Sequence, residues 1–437
     1  MRGSAQPGSL LGVSATELKP SEVFTPNEAP LRESNVYAAR AEAEEGLRRA
    51  VSRKKVPVVY GEYGVGKTTL VRKYFQSEEQ SDRLVRILTP ADKSFSEVPR
   101  IALEALNYSV AVSTEQSSGA TVEGSVEAGV FGTLKAKIRG QTDERTQTTS
   151  ELVVTEPTDH GLIRILSEGQ IIIAIDEMHK ASDAFRRQLA ELIKAVSTYG
   201  AGYPQIVVLG TTDDARNLVE QDPGIDRVIQ EVRVNPMTDS EAEFVVRDGM
   251  EKLGLSISDG LVEKIIRTAA GAPALLQEIC LDIAELAVGD NRAEVTDADL
   301  EQAVNTFLLS SEKRLTGLYM AAIETTGPHR YRKQILRAMA ESGNDFVTMD
   351  ELTKRVSEYV NTEVPSSRLS GPLRELKQEA HGEILRDVPR PAAAEGRVYN
   401  LTAFRDPRMK AFIRVMHAVE EQGNLPHPDD LAGLASK

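Results

Sequence analysis

Four short apolar runs, Val56–Tyr60, Leu84–Leu88, Ile171–Ile175 and Gln205–Gly210, recur through the first half of the chain and alternate with stretches of helical periodicity. Runs of about five residues with little polar interruption predict strands buried on both faces of a parallel sheet. The stretches Asn35–Ser52, Thr68–Phe75, Val98–Leu106 and Phe185–Tyr199 predict the helices between them, so this half reads as an α/β fold. From Ser113 to Pro157 the pattern shifts to short alternating segments, such as Thr121–Phe131 and Thr133–Arg139, set among Gly, Gln, Thr and Ser. That predicts a flexible, hairpin-like insertion rather than a core element.

The second half carries helical patterns at Glu241–Leu253, Asp259–Thr268, Ala274–Ala287 and Asp297–Leu308, the last capped by Thr296. Past a linker near Thr325–His329 come three more helices, Tyr331–Glu341, Met349–Val360 and Ser367–Gln378. Two strand patterns follow, Glu383–Val388 and Gly396–Leu401, with a proline-rich loop between them. Three helices followed by two looped strands is the winged-helix arrangement. The expected division is a mobile arm at 1–30, an α/β core at 31–235 with its insertion at about 113–157, a helical segment at 236–324, a winged-helix domain at 325–418 and a tail at 419–437.

Composition narrows the function classes. Hydrophobic residues make up 41% and charged residues 27%, as in a soluble globular protein. No apolar run approaches the roughly 20 residues that cross a bilayer, and no signal-peptide segment opens the chain, so a cytoplasmic location is expected. The one cysteine, Cys280, lies among Leu275, Leu276, Ile279, Leu281 and Ile283 and reads as a buried helix position. A net charge of −14 excludes a uniformly basic coat for nucleic acid. The stretch from Pro328 to His417 is the exception, with 16 Lys/Arg against 12 Asp/Glu, and any DNA contact belongs there.

The chemistry concentrates after the first strand. Gly61-Glu62-Tyr63-Gly64-Val65-Gly66-Lys67-Thr68-Thr69 fits G-x-x-x-x-G-K-[ST], a glycine loop that turns its N–H groups around a triphosphate at a helix N-terminus. Lys67 is placed to reach the β- and γ-phosphates of ATP, and the Thr68 hydroxyl to hold Mg²⁺. The apolar run at 171–175 ends in Asp176 and Glu177, the first suited to orienting the metal and the second to polarising an attacking water. The run ending at Gly210 is followed by Thr211 and Thr212, of which Thr211 is the preferred contact to the γ-phosphate or the water. Tyr37 to Arg40, including both Tyr37 and Arg40, stand where a base is met.

Together with Arg227 ahead of a short strand and Pro236-Met-Thr-Asp-Ser-Glu241 opening a helical stretch, these motifs resemble the AAA+ ATPases. Among those the order is most similar to the branch of origin-recognition-complex-type initiators and STAND switch ATPases, over roughly residues 31–310. The resemblance implies a homo-oligomer in which Arg227, with Arg233 and Arg216 as alternatives, reaches a neighbour's γ-phosphate. It also implies that Gly271-Ala272-Pro273 begins the last lid helices, with Pro273 at the nucleotide. Ala274 departs from the family, standing where many AAA+ proteins carry an arginine, and slow hydrolysis suited to a switch is the expectation. In the winged helix, Arg368, Arg374 and Lys377 are expected at a DNA major groove, and Arg386, Arg390 and Arg397 near phosphates. Control of a protein effector without DNA, or recruitment of a transposase or nuclease, fits the same features.

Overall fold

A computed structural model describes residues 18–89, 94–113, 133–138, 152–156, 158–199, 204–211, 218, 222–324, 331–342, 346–388, 401–406 and 408–423. The chain begins with a helical turn, α1 (Pro20–Val23), then α2 (Ala41–Ser52), β1 (Val56–Tyr60), α3 (Lys67–Ser77), β2 (Leu84–Leu88) and α4 (Glu97–Ala105). Three short strands follow, β3 (Tyr108–Ser113), β4 (Thr133–Ile138) and β5 (Leu152–Val154). The first half closes with α5 (His160–Glu168), β6 (Ile172–Asp176), α6 (Asp183–Tyr199), β7 (Gln205–Gly210) and β8 (Ile229–Arg233).

Five of these strands pair in parallel in the order β2-β6-β7-β1-β8. The apolar runs are continuous because both faces of the sheet are covered. Val58, Ile173, Ile175 and Val208 face one core, while Val59, Ile172, Ala174 and Val207 face the other. Placing β1 beside β7 brings the loop after β1 alongside the carboxyl ends of β6 and β7, the position where ligands of open α/β sheets bind.

A helical layer follows: α7 (Asp239–Lys252), α8 (Asp259–Ala269), α9 (Pro273–Gly289) and α10 (Asp297–Thr306). Thr238 and Glu241 form a reciprocal capping box at the start of α7, and Ser258 caps α8. Then come α11 (Lys313–Ile323), α12 (Arg332–Ala340), β9 (Phe346–Val347), α13 (Met349–Val360), α14 (Ser366–Glu375), β10 (Leu385–Val388), β11 (Leu401–Phe404) and α15 (Arg408–Glu421). The last strands form an antiparallel sheet, β10-β11-β9, behind the three helices α12 to α14, as in a winged helix. Its core is continuous with the helical layer, since Ile265, Ile279, Tyr319, Leu336, Phe412 and Ile413 belong to one buried cluster. No helix among the described residues is long and apolar enough to cross a membrane.

Three expectations need correction. The supposed arm is packed from Pro20 on: Val23 and Phe24 are buried, and a Cβ added at Gly249 would meet the Phe24 ring at 2.3 Å, so the α7 backbone must approach that ring closely. Residues 35–40 are not helical, because the Val36 N–H donates to the Val23 carbonyl (3.0 Å) and Val36 and Ala38 turn inward. The insertion does reach the core, for Leu134, Ala136 and Val154 are fully buried while Lys135 between them faces out. The segment Thr121–Phe131 lies outside the described residues.

Candidate functional site

The loop between β1 and α3 is shaped by its glycines. A Cβ at Gly61 would lie 2.3 Å from the Val234 carbonyl oxygen, and Gly64 and Gly66 have φ of 80° and 93°. Gly66 stands directly before α3, so the unpaired N–H groups of that helix's first turn open on the loop. Lys67 Nζ folds back and donates to the carbonyls of Gly61 (2.9 Å) and Glu62 (2.7 Å). The Thr68 hydroxyl donates to Asp176 Oδ2 at 2.8 Å, joining positions 108 residues apart. The other Asp176 oxygen accepts the Glu177 N–H at 2.8 Å. Glu177 takes a left-handed backbone turn (φ 61°), and its Oε2 pairs with Lys180 Nζ at 2.8 Å.

These groups border a cleft of about 520 Å³, with Thr211 at the end of β7 on its rim and Pro26 and Asn27 from the N-terminal segment on another side. A smaller, mostly apolar pocket of about 90 Å³ adjoins it, walled by Tyr37, Ala38, Val65, Met237, Val245 and Pro273. An apolar pocket beside a loop rich in N–H donors and one lysine suits a base linked to phosphates. The oxygen pair of Thr68 and Asp176 suits a hard divalent cation such as Mg²⁺. Arg40 is not solvated: its guanidinium donates to the carbonyl oxygens of Val65 (3.2 Å) and Asn235 and pairs with Glu241 (3.3 Å). Tyr37 donates its hydroxyl to Glu44 at 2.8 Å, and burial together with that carboxylate pushes the phenol pKa up.

The Glu62 carboxylate is taken by the last helix, with Lys410 Nζ at 2.7 Å and Arg414 at 2.8 and 2.9 Å. Burial pushes the Glu62 carboxyl up, yet Arg414 and Lys410 outweigh it and hold the group below its ordinary range. Arg408, the first residue of the same helix, lines the cleft beside Glu278 and Glu312. None of these contacts was read from sequence, although two lysine or arginine side chains four apart within the apolar run Met409–Met416 are a signal, since cations embedded there need a partner.

A family model described as Novel STAND NTPase 1 matches residues 30–302. The chain belongs to this family. The AAA+ and STAND resemblance of the sequence is thereby borne out, and the parallel sheet agrees with it. Among curated relatives, the chloroplastic chaperone protein ClpB3 of Arabidopsis thaliana is 29% identical over 255 residues, covering 56% of this chain and 22% of the relative. Chaperone protein ClpB 1 of Synechocystis sp. is 24% identical over 354 residues, covering 77% of this chain and 33% of the relative. The chain therefore spans a third or less of the length of the curated relatives it matches. Similar solved structures include Cdc6p from Pyrobaculum aerophilum (TM-score 0.44, 15% identity, 92% of this chain and 98% of that one). The Aeropyrum pernix ORC1 protein in complex with DNA has a TM-score of 0.43 and 16% identity, covering 93% of this chain and 98% of that one.

Other expected residues of this STAND NTPase lie elsewhere. Arg227 is exposed on the turn before β8 and is not among the residues lining the cleft, and Arg233 is exposed at the end of β8. Thr212 and Arg216 lie outside the described residues. On α14, Arg368 and Arg374 are exposed, whereas Lys377 just beyond it pairs with Asp387 at 2.5 Å. Arg386 is exposed on β10; Arg390 and Arg397 lie outside the described residues. Ala274 does line the cleft, and Arg408 from the last helix lines it too.

Proposed function

We propose that this chain is an ATP-hydrolysing switch in which bound nucleotide decides whether α15 stays on the phosphate loop. The observation that carries the reading is the grip of Lys410 and Arg414 on Glu62. An acid in an anion-binding loop is a local conflict, and here two cations from the far end of the chain resolve it. Nucleotide that rearranges the loop therefore works directly against the closed position of the last helix.

In this reading Lys67 leaves its two carbonyls for the β- and γ-phosphates, and Thr68 and Asp176 hold Mg²⁺. The metal, when bound, offsets charge on the phosphoryl group. Glu177, released from Lys180, orients the water, and Thr211 contacts the terminal phosphate. Tyr37, Val65, Thr69 and Pro273 hold the base side. The exposure of Arg227 supports a role on a neighbouring subunit, so that hydrolysis is completed on assembly and is slow in the lone chain. Residues 236–324 serve as the lid and 325–418 as the output module.

Exposed Arg368 and Arg374 on α14 support double-stranded DNA as the output. The pairing of Lys377 with Asp387 and the acidic net charge favour the second reading, a protein effector. Duplex binding measured against salt separates them: a steep loss of affinity with salt, abolished in Arg368→Ala/Arg374→Ala, supports DNA contact. Undetectable binding at low salt leaves the effector reading. Lys67→Ala should abolish nucleotide binding; normal binding and hydrolysis by that variant would refute the switch.

A further inference from the structure

Arg86 has no part in the scheme above, yet it is bound to the centre of it. It stands midway along the edge strand β2, where its neighbours Val85 and Ile87 turn into one apolar core. Its own side chain leaves by the other face and crosses to Asp176, with Nε and Nη2 reaching Oδ2 at 2.9 and 2.8 Å. The same oxygen takes the Thr68 hydroxyl at 2.8 Å, and Oδ1 takes the Glu177 N–H. An ionised carboxylate offers about four acceptor sites, so Asp176 is saturated, with three of its four donors crowded on the oxygen that faces Thr68. Arg86 is not sealed in: its side chain is 44% exposed and lines the cleft along with Lys67, Thr68 and Glu177.

We propose that Arg86 is a specificity-determining residue for the terminal phosphate. Without nucleotide it occupies Asp176; when a triphosphate binds with its divalent cation, Arg86 gives up Oδ2 and turns its guanidinium onto the γ-phosphate oxygens. Two positive groups on one carboxylate oxygen repel, and the metal carries the larger charge. The planar fork of arginine matches phosphate oxygens as well as it matches a carboxylate. A diphosphate offers no γ-oxygen, so Arg86 then stays on Asp176. The exchange lets this chain tell triphosphate from diphosphate without an arginine at position 274. This inference rests on the nucleotide reading of the cleft.

The test titrates a fluorescent non-hydrolysable ATP analogue and fluorescent ADP into the full chain, with magnesium and with EDTA. Unchanged protein is compared with Arg86→Ala and with Arg86→Gln, which keeps the stem and a donor and serves where the alanine variant does not fold. With magnesium, the variants should lose affinity for the ATP analogue by about tenfold or more, and for ADP by less than about threefold. The magnesium concentration for half-maximal tightening should fall, because a competitor for Asp176 is gone. Equal losses for both nucleotides would mean an ion pair that only shapes the site and would overturn the proposal, as would no loss at all. Failure of the unchanged protein to bind either nucleotide sinks the reading of the cleft; binding by the unchanged protein with indistinguishable variants sinks only the assignment of Arg86.

Discussion

Replacing Arg414 with alanine tests the hold of the last helix on the phosphate loop. Arg414 makes two short contacts to Glu62 and also donates from Nε to the Ala340 carbonyl at 2.6 Å. Both side chains of the pair are mostly buried, at 17% and 15% exposure. Breaking a buried pair outright costs about 3–5 kcal/mol, but Lys410 stays on Glu62 and keeps its charge matched, so the loss should be nearer about 2–3 kcal/mol. That lowers the ratio of closed to open chains by about 30- to 150-fold. The assay is a double-mutant cycle of Arg414→Ala and Glu62→Gln, read as the release rate of a fluorescent nucleotide and as susceptibility to limited proteolysis. Arg414→Ala should speed release by tens of fold, and adding Glu62→Gln should change little further. A coupling energy near zero, with release unchanged in the single variant, would refute the idea that this contact holds the chain shut.

Three further outcomes follow from the same geometry. Gly61→Ala places a methyl 2.3 Å from the Val234 carbonyl oxygen, which is backbone and cannot swing aside, so chemical denaturation should show a loss of about 1–3 kcal/mol along with weakened nucleotide binding. Glu177→Gln should slow hydrolysis by about 10²–10⁴-fold while the Kd for an ATP analogue stays the same; wild-type turnover in that variant would mean that another group orients the water. His417 is buried, and that burial, aided by Arg337 and Lys333, pushes its ring down to about 4. The folded chain thus prefers the neutral ring: the contribution is whole above pH about 6.5 and is lost as pH falls toward 4, with about 2 kcal/mol gone at pH 5. Thermal midpoints at pH 7.5 and pH 5 should differ more in the natural protein than in His417→Gln, and equal differences would contradict the assignment.

What sequence made legible was local. Four of the five strands of the central sheet stand within a residue of their apolar runs, and for the inner ones, β1, β6 and β7, burial on both faces leaves little room for polar interruption. The helix drawn from Asn35 begins instead at Ala41, since good helix formers mask the inward alternation of Val36 and Ala38, which only packing on α9 and Val23 decides. The loop and the two acids were found because each is contiguous. The contact between Glu62 and Arg414 was not, for its partners are 352 residues apart and nothing in either stretch names the other. Arg86 was passed over for a related reason: within a strand of otherwise aliphatic residues it reads as an exposed edge position, and only the neighbouring strand supplies the carboxylate.

The fixed position of Arg40 has a consequence for how a ligand gets in and out. Its guanidinium ties the loop after β1 at Val65, the strand exit at Asn235 and α7 at Glu241, so widening that side would strand a charge that water barely reaches. If the cleft takes nucleotide as proposed, this wall stays put while the edge under α15 opens, and the lifetime of the bound nucleotide follows that edge rather than how well the base is held.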